Sequence, residues 1–377
     1  MPRDGYDQVV LLTGFPALQA RKLLWHLLDS EPRTLVHAIV LEDLMAQAER
    51  CLADRPADQR ARVKLRAGDA AAMDMGLGGR EYLDLAAELD RIHHVAHVNY
   101  VGVDPRAAEY ANVRGAVEAV EIGRNAPHLS CLIHHSTASV AGDRRGVVHE
   151  SELDEGQRFH SIIQETRMKG EKVMRRAMDE LPIAVVRPTT MVGDSGTGEA
   201  DHFDGPYLLV MLILGLPKDM AVPLPRPADT PLNIVPVDFV VRAAHYIGRH
   251  PDAPGRTFHL ASCEQLTAEQ LFELVAQAGG RRTAKGYNIP TQVARALLST
   301  PGVDKLLHKP LEFVQQLASP VEYDTRNADR MLRDAQIECP PLPSYVDTLV
   351  ARVQEHLQRK RQEFEAALED DVDDPLF

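Results

Sequence analysis

Apolar residues in the first half of the chain fall into short unbroken runs, separated by stretches whose apolar positions recur at helical spacing. The runs are "QVVLLTG" (8–14), "LVHAIVLED" (35–43), "RVKLRAGD" (62–69), "IHHVAHV" (92–98), "LSCLIHHSTA" (129–138) and "IAVVRPT" (183–189). Between them lie "ARKLLWHLL" (20–28), "DLMAQAERCLA" (43–53), "AEYANVRGAVEAVEIGRN" (108–125) and "RFHSIIQETRMKGEKVMRRAMDEL" (158–181). A strand without polar alternation is covered on both faces, and such strands alternating with helices build a parallel sheet. The predicted fold class is therefore α/β, a doubly wound parallel sheet of Rossmann type.

Beyond about residue 190 the alternation fades. "GDSGTGEADHFDGPY" is a Gly-rich acidic loop and "PLPRPADTPLNIVP" is Pro-rich, whereas "TAEQLFELVAQAGG" and "IPTQVARALLST" read as amphipathic helices. A smaller, mostly helical C-terminal subdomain is expected, interleaved with returning strands at "NIVPVDFV" and "TFHLAS". In the last stretch Val346, Leu349, Val350, Val353, Leu357, Phe364 and Leu368 form one helical stripe that packs on its own domain, followed by a frayed acidic tail, "EDDVDDPLF". The expected division is a dinucleotide-binding domain at 1–190, a substrate or ligand subdomain at 191–350, and a helix with tail at 351–377.

Composition narrows the function classes. With 377 residues and 44% hydrophobic content the chain can bury a sizeable core, and no run of about 18 apolar residues marks a membrane span. A formal net charge of −13 argues against general affinity for nucleic acid, whose phosphates attract clustered cations. The basic cluster in "LQRKRQEFEAALEDD" is followed at once by acids and reads as a solvated helix face. Cys51, Cys131, Cys263 and Cys339 are far apart and form no C-x-x-C pair, so neither a zinc site nor a disulfide framework is expected. An apolar strand begins within the first ten residues, leaving no room for a signal peptide, and the cytoplasm is the expected compartment.

The first candidate chemistry sits where the first strand opens into a helix. There, backbone N–H groups and the helix dipole hold a pyrophosphate, and glycines let the backbone approach it. The stretch is "TGFPALQA", with Thr13, Gly14, Phe15, Ala17 and Leu18 as the candidate turn. Gly14 is present, but Ala17 and Ala20 fill the next two glycine places, and the Ala17 methyl stands near the diphosphate position. After the second strand, Glu42 can accept from a ribose 2′-hydroxyl and repels a 2′-phosphate, which favours NAD over NADP. An acid placed there simply to suit a helix N-terminus is an equal reading, and a protein that holds no cofactor stays open.

Together these residues resemble an extended short-chain dehydrogenase/reductase of the fatty-acyl reductase or male-sterility branch, and are similar to thioester reductase domains. The likeness rests on "VVLLTGFPA", "LRAGDAAAMDMGLG", "HHVAHVNY", "HHSTASVAG", "VVRPTTMVGDSGTGEADHFDGPY", "NIVPVDFVV", "GRTFHLAS" and "QIECPPLPSYVDTLV", across most of residues 8 to 350. The resemblance implies that Asp69 and Ala70 adjoin an adenine and that Ala96 lines the path to a nicotinamide. It also implies that Asn112 supports the active-site network, that Thr137 hydrogen-bonds a substrate carbonyl, and that Pro188 and Thr189 flank the nicotinamide amide. Asp238 would be a structural residue at the surface of the C-terminal lobe, and a homodimer through the helix containing residue 163 and its predecessor is expected.

One implied feature is missing. Such a reductase needs Tyr-x-x-x-Lys on the helix after Thr137, because hydride addition leaves an alkoxide that needs a proton. A tyrosine, with pKa about 10, donates it readily only beside a cation. In "SIIQETRMKGEKV" these places hold Ile163 and Arg167, and no nearby register restores the pair. Isoleucine has no proton to give, and arginine is a poor acid although it could hold ribose hydroxyls. His160, three residues before Ile163, is a speculative substitute on the same expected helix face. His94, His97, His134, His135, Tyr100 and Tyr207 are others, each opposed by an ordinary structural role; a metal site from the four histidines lacks a ligand motif, so none is expected. The expectation is a catalytically degenerate protein that binds a nucleotide, an acyl-type small molecule or a protein partner. The alternative is an oxidoreductase of a thioester, aldehyde or related carbonyl with a non-standard proton donor. The apolar run in "GTGEADHFDGPYLLVMLILGLP" would suit an aliphatic chain or simply pack the protein interior.

Overall fold

A computed structural model describes residues 5–100, 102–203, 205–215, 221–223, 232–264, 266–284 and 321–372. The elements run β1 (Gln8–Thr13), α1 (Leu18–Ser30), β2 (Thr34–Val40), α2 (Met45–Ala53), α3 (Ala57–Arg60), β3 (Val63–Ala67), α4 (Gly79–Glu88), β4 (Arg91–His94), α5 (Pro105–Glu109), α6 (Gly115–Arg124), β5 (Cys131–His135), β6 (Gly146–Val148), α7 (Ile162–Arg176) and β7 (Ile183–Pro188). They continue as β8 (Thr190–Val192), α8 (Pro206–Gly215), β9 (Val222–Pro223), β10 (Ile234–Pro236), α9 (Val237–Arg249), β11 (Thr257–Leu260), α10 (Ala268–Ala278), β12 (Thr283–Ala284), β13 (Val321–Tyr323), α11 (Arg326–Arg333) and α12 (Val346–Val372).

Seven strands form one sheet in the order β11-β7-β5-β4-β1-β2-β3, every pair parallel. This is the doubly wound α/β architecture expected from the unbroken apolar runs. Every residue of β2 and β7 is buried, as strands covered on both faces require. β3 lies at an edge and its Lys64 and Ala67 are exposed. On one face α1 buries Leu23, Leu24, Leu27 and Leu28 against β1 and β2, each worth about 1.5–3 kcal/mol relative to exposure.

The chain divides into two compact units: Met1–Met191 with Val237–Ala261 and Pro320–Cys339, and Val192–Pro236 with Ser262–Ser319 and Pro340–Phe377. The chain thus returns to the first unit twice. "TFHLAS" supplies β11, the seventh strand of the main sheet, rather than a strand of the C-terminal lobe. In "NIVPVDFV" only Ile234–Pro236 is strand, and helix α9 begins at Val237. Asp238 therefore sits in the first turn of a helix that packs on α1, in the first unit and not on the C-terminal lobe. At the β11 edge, the buried Glu150 carboxylate accepts from the backbone N–H groups of His259, Asn327 and Ala328, at 2.9, 2.6 and 3.2 Å.

In the second unit, α8, α10 and α12 share a core of Tyr207, Leu209, Val210, Ile213, Leu271, Val275, Val346, Leu349, Val350 and Val353. The apolar run at 206–215 is thereby helical and packed inside that unit. α12 is continuous through residues 350 and 351 to Val372, so most of "EDDV" is helix and not tail. α10 begins with a capping box in which Thr267 and Gln270 satisfy each other's backbone N–H groups. The "IPTQVARALLST" segment and the side chains of Phe364 and Leu368 lie outside the described residues.

Candidate functional site

The carboxyl ends of β1, β4 and β5 meet the amino end of α1, where open α/β sheets hold ligands. Thr13 ties the first two together. Its Oγ1 accepts from the N–H groups of Val95 and Ala96, at 3.1 and 3.0 Å, and so donates its own proton to His94 Nδ1 at 3.2 Å. Gly14 follows at φ +87°, and a Cβ there would stand 2.9 Å from Ala96 N and 3.1 Å from the Val95 carbonyl carbon. No other residue fits so close to β4. α1 starts at Leu18 with Ala17 as its N-cap, and no side chain caps it. Ala17 is exposed at this turn, whereas Ala20 is fully buried and lets the helix rest on the sheet. The Phe15 ring is 2% exposed, edge-on to Trp25 with centroids 6.1 Å apart, so its side chain belongs to the core rather than to a ligand.

At the ends of β2 and β3, Glu42 is exposed in a short 3-10 turn, and Asp69 accepts from Ala71 N at 2.9 Å and from the Tyr110 hydroxyl at 3.0 Å. Ala70, beside it, is buried. Asp74 and Met75 follow with φ of 54° and 55°, a strained pair for non-glycine residues. They curl the loop back so that the Met75 carbonyl accepts from Asp69 N at 3.0 Å. Sequence reasoning misses Tyr110 as a site residue because only the fold brings it to Asp69.

Asn112 lies in a π-helical turn, Tyr110–Arg114. Its Oδ1 accepts from Val98 N at 2.9 Å, and its Nδ2 donates to Thr166 Oγ1 at 2.9 Å. Gly170 explains how α7 comes so near: a methyl group there would collide with the Asn112 carbonyl oxygen.

α7 starts at Ile162, with Ser161 Oγ accepting from Gln164 N as its cap. His160 therefore stands outside the helix and is exposed, so the expected face-sharing with Ile163 does not arise. Ile163 is half-buried in the first turn. One turn on, Arg167 is only 6% exposed and its Nη2 donates to the His135 carbonyl at 2.6 Å. Burial lowers the guanidinium to about 10, while nearby Glu171 acts to raise it. Glu171 is itself committed to Arg187 at 2.7 Å, Arg175 at 2.9 Å and the Ser136 hydroxyl at 2.6 Å.

Thr137 is the N-cap of a short 3-10 turn, Ala138–Ala141. Its Oγ1 accepts from Ser139 N at 3.2 Å and donates to Ser139 Oγ at 3.1 Å. Pro188 ends β7, and Thr189 spends both its N–H and its hydroxyl on the Leu260 carbonyl, at 3.0 and 3.4 Å. Neither threonine hydroxyl is idle.

The histidines form a directed chain. The Gln19 amide donates to His135 Nδ1 at 2.9 Å, which leaves the ring proton on Nε2 to donate to His93 Nδ1 at 3.2 Å. His94 stacks on His134, centroids 5.5 Å apart. His97 Nδ1 donates to the Val95 carbonyl at 2.6 Å, which leaves Nε2 a lone pair. Burial, reinforced by Arg167, holds His94 and His135 down at about 3 and His97 and His134 well below the usual histidine range. Neutral rings tied up in this way are poor acids. Tyr207 accepts from Gly193 N at 2.7 Å within the second unit, and Tyr100 is 51% exposed. Among the described residues no group of three or more His, Cys, Asp or Glu could hold a metal ion, and no helix is long and apolar enough to cross a membrane.

A parallel sheet with this glycine turn, an asparagine in a π-helical turn and an S/T-rich strand end defines a dinucleotide-fold reductase scaffold. The chain belongs to the male sterility protein family of NAD-binding proteins, whose pattern it matches over residues 12–244. It is 26% identical over 376 residues to a linear gramicidin synthase of Brevibacillus parabrevis, covering 94% of this chain and 7% of that protein. It is 27% identical over 312 residues to the L-2-aminoadipate reductase large subunit of Penicillium chrysogenum, covering 75% of this chain and 21% of that one. The chain thus spans a small part of each relative's length. In fold it is similar to the terminal R domain from the myxalamid PKS-NRPS biosynthetic pathway, with TM-score 0.79, 21% identity, and 93% and 92% of the two chains covered.

Proposed function

We propose that this chain binds a nicotinamide dinucleotide, NAD in preference to NADP, and does not carry out the carbonyl reduction of the reductases it resembles. The cradle fits the cofactor: the strained glycine turn leaves no Cβ at Gly14, and the uncapped amino end of α1 adjoins it. The exposed Ala17 methyl is the one departure there. When bound, the dinucleotide would supply hydride chemistry at the carboxyl ends of β4 and β5. Gly14 and the start of α1 would hold its phosphates, Asp69 with Tyr110 would adjoin the adenine, and Glu42 would meet the adenosine ribose.

The observation that carries the reading is the pair Ile163 and Arg167. Ile163 has no ionisable proton, and the Arg167 guanidinium is turned inward onto the His135 carbonyl. Arginine stays protonated through the physiological range, and the four neighbouring imidazoles are held neutral. Nothing near Thr137 is thereby set up to pass a proton to an alkoxide. Calorimetry with NADH and NADPH tests the binding half: heat with NADH, and less with NADPH, supports it. Heat with neither removes both the binding reading and the reductase alternative.

A further inference from the structure

Arg167 is a buried cation with too few partners. Of its N–H donors, those on Nη2 meet the His135 carbonyl, while Nε and Nη1 have no protein partner and are not sealed from solvent. No carboxylate pairs with it among the described residues. Arg175 and Arg187 add two more cations nearby, and the single anion Glu171 already has both oxygens engaged. A guanidinium withdrawn from water without a counter-charge is costly. A fold keeps such an arrangement where a ligand supplies the missing charge.

The surroundings describe that ligand. Arg167 ends beside the carboxyl end of β5, on the ligand side of the sheet, away from the phosphate turn at Gly14. Ile163, four residues earlier on the same helix, is half-buried and adjoins it, so the cation has an apolar neighbour. The planar fork of a guanidinium matches the two oxygens of a carboxylate. His97, half-buried and kept neutral within the field of Arg167, presents a ring nitrogen without repelling an anion as a second carboxylate would.

From this geometry we propose that Arg167 is a binding site for the carboxylate of a small organic acid carrying an apolar substituent, with Ile163 as the apolar contact. This deepens the non-reductive reading and rests on it. The exchange of tyrosine and lysine for isoleucine and arginine then does more than remove a proton donor: it turns a site suited to a carbonyl into one suited to an acid.

The test is thermal shift and calorimetry of the full chain with sodium hexanoate, using hexanamide and inorganic phosphate as controls. Saturable stabilisation by hexanoate and none by hexanamide is expected. Arg167→Lys, which keeps the charge but loses the fork, should weaken hexanoate about tenfold, and Arg167→Gln should abolish the response. Ile163→Ser, which leaves the cation intact, should weaken hexanoate but not acetate. No response in the folded wild type, equal response to hexanamide, or a stronger response to phosphate overturns the proposal. Since NADH binding is measured separately, loss of hexanoate binding with intact NADH binding sinks this assignment alone.

Discussion

Arg167 Nη2 donates to the main-chain carbonyl of His135 over 2.6 Å, which fixes a cation of α7 against the carboxyl end of β5. Both residues lie where a reductase of this family would need a movable proton. Four features surround that contact: the Gln19–His135–His93 chain, the His94–His134 stack, the Thr137–Ser139 cap and the Glu171 cluster. Each is an already satisfied polar arrangement, which favours a rigid binding surface over acid–base exchange.

Trp25 offers an optical report on the phosphate turn. It packs edge-on against Phe15, the residue after Gly14, and Arg55 lies over its ring at 5.1 Å from the centroid. Addition of NADH should therefore change the fluorescence of this single tryptophan. Gly14→Ala should remove the response, because its Cβ would press on Ala96 and Val95. An unchanged titration curve in Gly14→Ala would exclude this turn as the site.

Stability should fall in mild acid. His94 and His135 are held at about 3 in the fold against 6.5 in the reference state, with His97 and His134 also depressed. A depressed folded value means that the unfolded chain takes up protons the folded chain refuses. The stability these rings contribute is present above 6.5 and is lost as pH falls toward 3, at up to about 1.4 kcal/mol per pH unit for each ring. Melting temperatures from pH 7.5 downward should fall through this window, and less so in His135→Asn. A flat profile would show that these imidazoles are not buried as described.

Gly170→Ala should be among the costly single-methyl changes. The added carbon would overlap the Asn112 carbonyl oxygen and push α7 from the π-helical turn, at about 1–3 kcal/mol by the usual cost of overpacking. A urea midpoint unchanged from wild type would contradict the close approach of Asn112 and Thr166.

Local pattern reveals the main sheet because each strand is an apolar run that is covered wherever it sits, as in Ile183–Pro188. Longer-range facts do not appear in it. β11 joins β7 across about seventy residues of chain, and nothing in "TFHLAS" distinguishes an edge of the main sheet from a strand elsewhere. Likewise "VPVDFV" is apolar enough for a strand, and its helix follows from packing on α1. Helical spacing carries His160 onto the helix only while Ser161 goes unrecognised as the cap, although its partner Gln164 stands three residues on. At the site, the Tyr-x-x-x-Lys places can be read from spacing alone. The commitments of Thr189 to Leu260, of Asp69 to Tyr110 and of Gln19 to His135 depend on residues from 41 to 116 positions apart.

The decisive measurement follows nicotinamide absorbance when NADH-bound protein meets a panel of aldehydes and acyl thioesters, for the wild type and for Ile163→Tyr with Arg167→Lys. The wild type should bind NADH and leave it unoxidised, while the double variant gains slow turnover on the same scaffold. Rapid oxidation by the wild type, slowed in the double variant, would show instead that this cleft passes a proton by a route of its own.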